Sequence, residues 1–197
     1  MTESGDPRAS RDGTIPGAGI LGMWIFLAAL AVLFAASIAG YLIVRLRATT
    51  WPPEGMPRLP HGLWISTLIL IGCSLAISGA LAAVRIGQTT RATRWLYATF
   101  TLGVAFLLSQ SLSWYGLVMA NMTATTKNLY AFTFYMLTGL HAAHVIGGLI
   151  VLGIVTAKAR RGRYGSGYHP GVLYAAMYWH FLDVVWVVLF GILLVFA

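Results

Sequence analysis

The sequence predicts an all-α protein, a polytopic membrane bundle of five transmembrane helices. Three observations carry this. Only 9% of the 197 residues are charged and 58% are apolar, whereas a soluble domain covers itself with about 25% charged residues. Mean hydropathy is +0.78. Uncharged stretches run 13–44, 59–84, 95–126, 128–157 and 164–182, the last continuing past Asp183 to Ala197, and a helix crosses a bilayer with about 20 apolar residues. A soluble enzyme, a disulfide-stapled secreted module and a disordered tail are excluded.

Each element follows from its composition. Residues 1–17 are polar and read as a cytoplasmic N-terminal tail. The apolar run behind them is too long for a signal-peptide core, and four more spans follow, so the first helix is retained. Trimming polar ends predicts helices near 18–46, 62–86, 92–120, 128–157 and 170–197, together forming the transmembrane domain 18–197. The second helix carries Gly72, Ser74, Ala76, Ser78, Gly79, Ala80, Ala82 and Ala83, small residues that let helices approach closely in lipid. The longest connection, 47–61, is stiffened by Pro52, Pro53, Pro57 and Pro60. Cys73 lies inside an apolar run and reads as a packing residue. No P-loop, GxGxxG, HExxH or CxxC motif occurs, and no internal repeat of the kind transporters show.

A net charge of +8 would suggest nucleic acid in a soluble protein. Here the positions of the cations explain it, and no nucleic-acid partner is expected. Arg8, Arg11, Arg85, Arg91, Arg94, Lys158, Arg160, Arg161 and Arg163 fall on one side of the membrane; Arg45, Arg47, Arg58 and Lys127 fall on the other. Nine against four places the N-terminus in the cytoplasm and, after five spans, the C-terminus in the periplasm.

Ionisable groups at membrane depth are costly and therefore candidates for function. They are His141 and His144 in TGLHAAHVIGG, and His180 and Asp183 in YWHFLDVVW. A spacing of three puts each pair on one helix face. The fourth and fifth helices turn about residue 164, so His144 and Asp183 lie nearly equal distances from the turn and all four groups share one layer. The expected arrangement is a hydrogen-bonded cluster locking the two helices together, with Asp183 as its clamp. A metal site, haem ligation by His141, His144 and His180, and a proton relay are the other readings. Trp179 and Trp186 flank Asp183 as bulky packing.

These residues also resemble a known family. YWHFLDVVWVVLF at 178–190 looks like the last-helix signature of haem-copper oxidase subunit III, and TGLHAAHVIGG at 138–148 resembles its penultimate helix. GMWIFLAALAVLF at 22–34, LWISTLILIGCSLAISGA at 63–80 and TRWLYATFTLGVAFLLSQSLSW at 93–114 are similar to its earlier core helices, in order. The chain resembles the short, five-helix form found in bacterial quinol oxidases and some bacterial cytochrome c oxidases. The resemblance implies a non-catalytic subunit of a terminal oxidase in the bacterial cytoplasmic membrane. That complex reduces O2 with electrons from cytochrome c or quinol and conserves energy as a proton gradient. It implies subunits I and II as partners, haem and copper in the catalytic partner, no cofactor or metal in this chain, and phospholipid in grooves between its helices. It marks Gly139, Gly147, Gly148, Gln110, Trp114, Trp179 and Trp186 as signature packing residues.

Three family glutamates are absent: their positions hold Leu30, Ser113 and Leu173. Proton-handling roles tied to those acids do not carry over, and a subunit III-like partner of a nitric-oxide reductase is the neighbouring alternative. A haem- or metal-binding electron carrier is the alternative from another class. A transporter would need a polar pathway, for which one intramembrane carboxylate in five helices is poor material.

Overall fold

The computed structural model describes residues 18–53, 62–120, 122–123, 128–167 and 169–196. The tail 1–17, the loop residues Glu54, Arg58 and Lys127, and Ala197 lie outside the described residues. Among the described residues the elements are all helices: α1 (Ala18–Arg47), α2 (Gly62–Arg85), α3 (Thr89–Met119), α4 (Leu129–Arg160) and α5 (Pro170–Phe196). All five are long and apolar enough to cross a membrane.

The ends have local causes. Gly87, at φ 75°, reverses the chain after α2, a conformation that costs glycine nothing. Gln88 N–H then closes onto the Ala83 carbonyl at 3.0 Å, so α3 starts at Thr89, three residues before the expected 92. Asn128 caps α4 by accepting from the Ala131 N–H at 3.1 Å. That helix runs on to Arg160 instead of stopping at 157, with Lys158 and Arg160 in its last turn, where cations favour the negative end of the helix dipole. Gly162, at φ 68°, begins the turn into α5.

In space, α2 and α3 form the most intimate pair, α5 packs on α2 and α4, and α4 packs on α3 and α5. Among the described residues, α1 approaches only α4 and α5. The most apolar stretch of α1 is accordingly 22% buried, against 44% for α4, which makes α4 the central helix and α1 an outer layer. Of the small residues predicted to allow close approach, Gly72 and Gly79 face α3, whereas Ser74 and Ser78 face α5. Ser66 Oγ lies 3.0 Å from Ser109 Oγ. A Cβ on Gly79 would stand 3.0 Å from the Trp95 indole. Ser113, at a missing-glutamate position, turns its hydroxyl to the Ser109 carbonyl and lies close to Gly62 of α2. Large apolar side chains facing outward, such as Leu46 at 77% and Leu112 at 71% exposure, suit a hydrocarbon environment.

Candidate functional site

The core of the bundle is a layer where α1, α3, α4 and α5 meet. His141 lies at its centre, with no exposed surface. Its ring is 5.1 Å from Trp186, 5.8 Å edge-on to Phe106 and 6.3 Å from Phe34, centroid to centroid. Both imidazole nitrogens are buried without a hydrogen-bond partner. His144, one turn on, lies tilted against Phe34 with ring centroids 5.1 Å apart, and its Nδ1 meets the Leu140 carbonyl of its own helix at 2.8 Å.

His180 and Asp183 face elsewhere. His180 Nδ1 lies 2.8 Å from Ser74 Oγ and Nε2 lies 3.2 Å from Ser78 Oγ, both on α2. Ser74 stands beside Asp183 as well, yet both carboxylate oxygens are buried without a hydrogen bond. The four groups therefore make no hydrogen bonds to one another. This corrects the expected interhelical cluster. A spacing of three fixes a face of one helix, but α5 presents its His180–Asp183 face to α2, while its Tyr178–Trp179 face meets α4. The lock between α4 and α5 is made by other atoms. Tyr178 donates to the His144 carbonyl at 2.9 Å, and Gly148 lies against Tyr178 and Trp179.

The remaining signature residues divide by contact. Trp186 donates to Thr67 Oγ1 of α2 at 3.0 Å. Trp179 is 2% exposed, with its Nε1 unpartnered, and its ring is wedged between Gly103 and Gly148. Gln110 is 1% exposed with neither amide atom bonded. Trp114 packs edge-on against Tyr135 at 6.2 Å, near Gly139. Gly147 meets nothing within 4 Å and opens onto a cavity of about 330 Å³ between α1, α4 and α5. Leu30 is buried in the core and Leu173 is half-buried. Sequence reading missed Ser74 and Ser78 as partners of His180. Their spacing of four on α2 was visible, but as small packing residues.

Among the described residues no group of three or more His, Cys, Asp or Glu side chains is placed to hold a metal ion. The His141 ring is enclosed by Phe34, Phe106 and Trp186, and the nitrogens of His180 are engaged by serine hydroxyls of α2. This arrangement packs helices.

The geometry of Asp183 gives an expected result opposite to that of a clamp. An unpaired carboxyl buried among helices costs free energy, so Asp183→Leu is expected to leave the thermal midpoint of the detergent-solubilised protein unchanged or raised. Asp183→Asn is expected to melt like the parent. A marked fall for the leucine variant alone would mean that the carboxyl holds a hydrogen bond in the folded protein.

Residues 18–197 match the family model described as cytochrome c oxidase subunit III. The chain is 37% identical over 177 residues to a cytochrome c oxidase subunit 3 of Synechocystis sp., covering 89% of this chain and 74% of that protein. It is 35% identical over 175 residues to the cytochrome c oxidase subunit 3 of Thermostichus vulcanus, covering 88% and 85%. A probable cytochrome c oxidase subunit 3 of Nocardia farcinica is 29% identical over 172 residues, covering 87% and 84%.

Proposed function

The chain belongs to the cytochrome c oxidase subunit III family, and from that premise we propose how it serves its complex. It is a non-catalytic, multi-pass membrane subunit of a bacterial terminal oxidase that reduces O2. The match across every helix, residues 18–197, is the observation that carries this. In our reading the haems and copper belong to the catalytic subunit I, which this chain buttresses beside subunit II. The names of the relatives support cytochrome c over quinol as the electron donor. The cavity between α1, α4 and α5, walled by Met23, Phe26, Gly148 and Tyr178, supports a bound phospholipid chain in that groove. The charge asymmetry of the loops supports a cytoplasmic N-terminus and a periplasmic C-terminus.

The test is purification of the tagged chain in mild detergent. The expected result is co-purification of a partner whose spectrum shows haem, while the chain separated from it shows none. Haem retained by the separated chain and lost on His141→Phe would replace this reading with that of an electron carrier. A reporter fused after Ala197 is expected in the periplasm, and one within 158–163 in the cytoplasm. The reverse pattern would sink the charge argument.

A further inference from the structure

Among the described residues α5 packs on α4, α2 and α1, but α1 and α2 do not reach each other. A strip of α5 is therefore left open between them. It runs Met177, His180, Val184, Val187, Gly191 and Leu194, with Val184 63% exposed and a Cβ on Gly191 meeting nothing within 4 Å. Steps of three and four alternate along it, the 3.5-residue repeat by which one helix receives another along its length. Beside His180 and Val184 lies a cavity of about 540 Å³, walled on the far side by Trp24, Ala28 and Ala31 of α1. Midway along the strip the chemistry turns polar. Ser78, exposed at the rim, donates to the Ser74 carbonyl at 2.8 Å. Its oxygen then accepts from His180 Nε2–H at 3.2 Å, which leaves Nδ1 to accept from Ser74 O–H at 2.8 Å. All three protons of the cluster are used, while both oxygens of Asp183, beside Ser74, stay buried without a donor. Every described Arg and Lys lies near a helix end or in a turn, so none supplies one.

We propose that this strip receives a transmembrane helix of a neighbouring subunit of the complex, one that carries a hydrogen-bond-donating side chain at the level of His180. The inference rests on the oxidase reading and deepens it by naming the face and the chemistry of the partner. Electrostatic complementarity argues for it. A surplus of acceptors, Ser78 Oγ at the rim and the Asp183 carboxylate behind it, calls for a donor, and hydrocarbon supplies none. Depth argues for it too. Ionisable side chains within spans face protein or a hydrated cavity, so His180 marks this strip as a covered one. Ala28 and Ala31 on the α1 wall let a second backbone come close, and one polar position in an apolar seam fixes its register. An acyl chain in the same place would fill the apolar walls and leave the acceptors unanswered. The cavity at Gly148 lies on the other side of the α1–α5 contact, toward α4.

The test places a photoreactive benzoylphenylalanine at Val187 and irradiates the complex in its native membrane. The expected adduct joins this chain to a transmembrane segment of another oxidase subunit, identified by peptide mass spectrometry. Val184→Trp is expected to accumulate in the membrane like the parent yet bring down about tenfold less of that subunit, because bulk is forced into a packed seam. Ser78→Ala is expected to lower its recovery about threefold, the worth of one interhelical hydrogen bond. Should Val184→Trp fail to accumulate, the Val187 adduct and Ser78→Ala decide the matter. An adduct with phospholipid alone, or with no subunit, overturns the proposal, and an adduct with a second copy of this chain overturns it in favour of a self-interface. Parental recovery of every subunit with both variants overturns it as well. A parent chain that brings down no oxidase subunit overturns the oxidase reading and this inference together, whereas an intact complex with lipid adducts alone overturns only this inference.

Discussion

Replacing Gly148 by leucine is expected to separate α4 from α5 and so to remove the subunit from its complex. A Cβ at this position would stand 2.8 Å from Tyr178 Cε1 and 3.1 Å from Trp179 Cζ3. Neither ring is free to move. Tyr178 is tied to the His144 carbonyl, and the far side of the Trp179 ring lies where a Cβ on Gly103 would be 3.0 Å away. The indole is thus gripped between a glycine of α3 and a glycine of α4. Overpacking of a filled core costs about 1–3 kcal/mol and occasionally more, and here the intruding atoms meet rigid rings on both sides. The expected readout is a much lower thermal midpoint in detergent and little subunit recovered with the oxidase. Gly147→Leu is the matched control. It adds the same side chain one residue earlier, where nothing lies within 4 Å, and is expected to melt near the parent while displacing whatever occupies the adjoining cavity. Equal damage from both substitutions would mean that α4 tolerates no bulk here and that the grip on Trp179 has no special role.

Much of this architecture is legible in the residues. Charge depletion and five apolar runs dictate the class and the number of spans, because water and hydrocarbon impose different surfaces on a chain. The pairing of α4 with α5 follows from the short turn at Gly162, and the Tyr178–His144 bond is consistent with an antiparallel register about that turn. Which face meets which neighbour is not legible. A soluble helix marks its inner face with an apolar stripe, but α5 is apolar almost all round. Nothing in YWHFLDVVW says that His180 turns toward Ser74 and Ser78 while Trp179 turns toward α4. The outward apolar side chains of α1 likewise look the same in sequence as Phe34, which is 2% exposed. The polar residues could be identified as unusual; their partners required the fold.

The same distinction frames His141, where truncation and isosteric replacement are expected to give opposite results. His141→Ala empties the space between Phe34, Phe106 and Trp186. Three helices converge there on the central α4, so no single side chain can collapse into the gap. Deleting a buried ring of this size costs about 3–5 kcal/mol, enough to expect failure of the subunit to assemble. His141→Phe keeps the ring and removes two polar atoms that have no partner in the core. Leaving a buried polar group unsatisfied costs about 1–3 kcal/mol, so the phenylalanine variant is expected to melt at or above the parent and to assemble fully. Thermal midpoints of the solubilised complex and its O2 consumption separate the possibilities. Were the phenylalanine variant to melt as low as the alanine one, the imidazole nitrogens would have to be bonded in the assembled protein. Were it to assemble and melt normally while O2 consumption collapsed, His141 would have a chemical role that its aromatic surroundings do not reveal. The expected outcome, stable assembly with unchanged turnover, makes His141 a packing residue whose shape matters more than its charge.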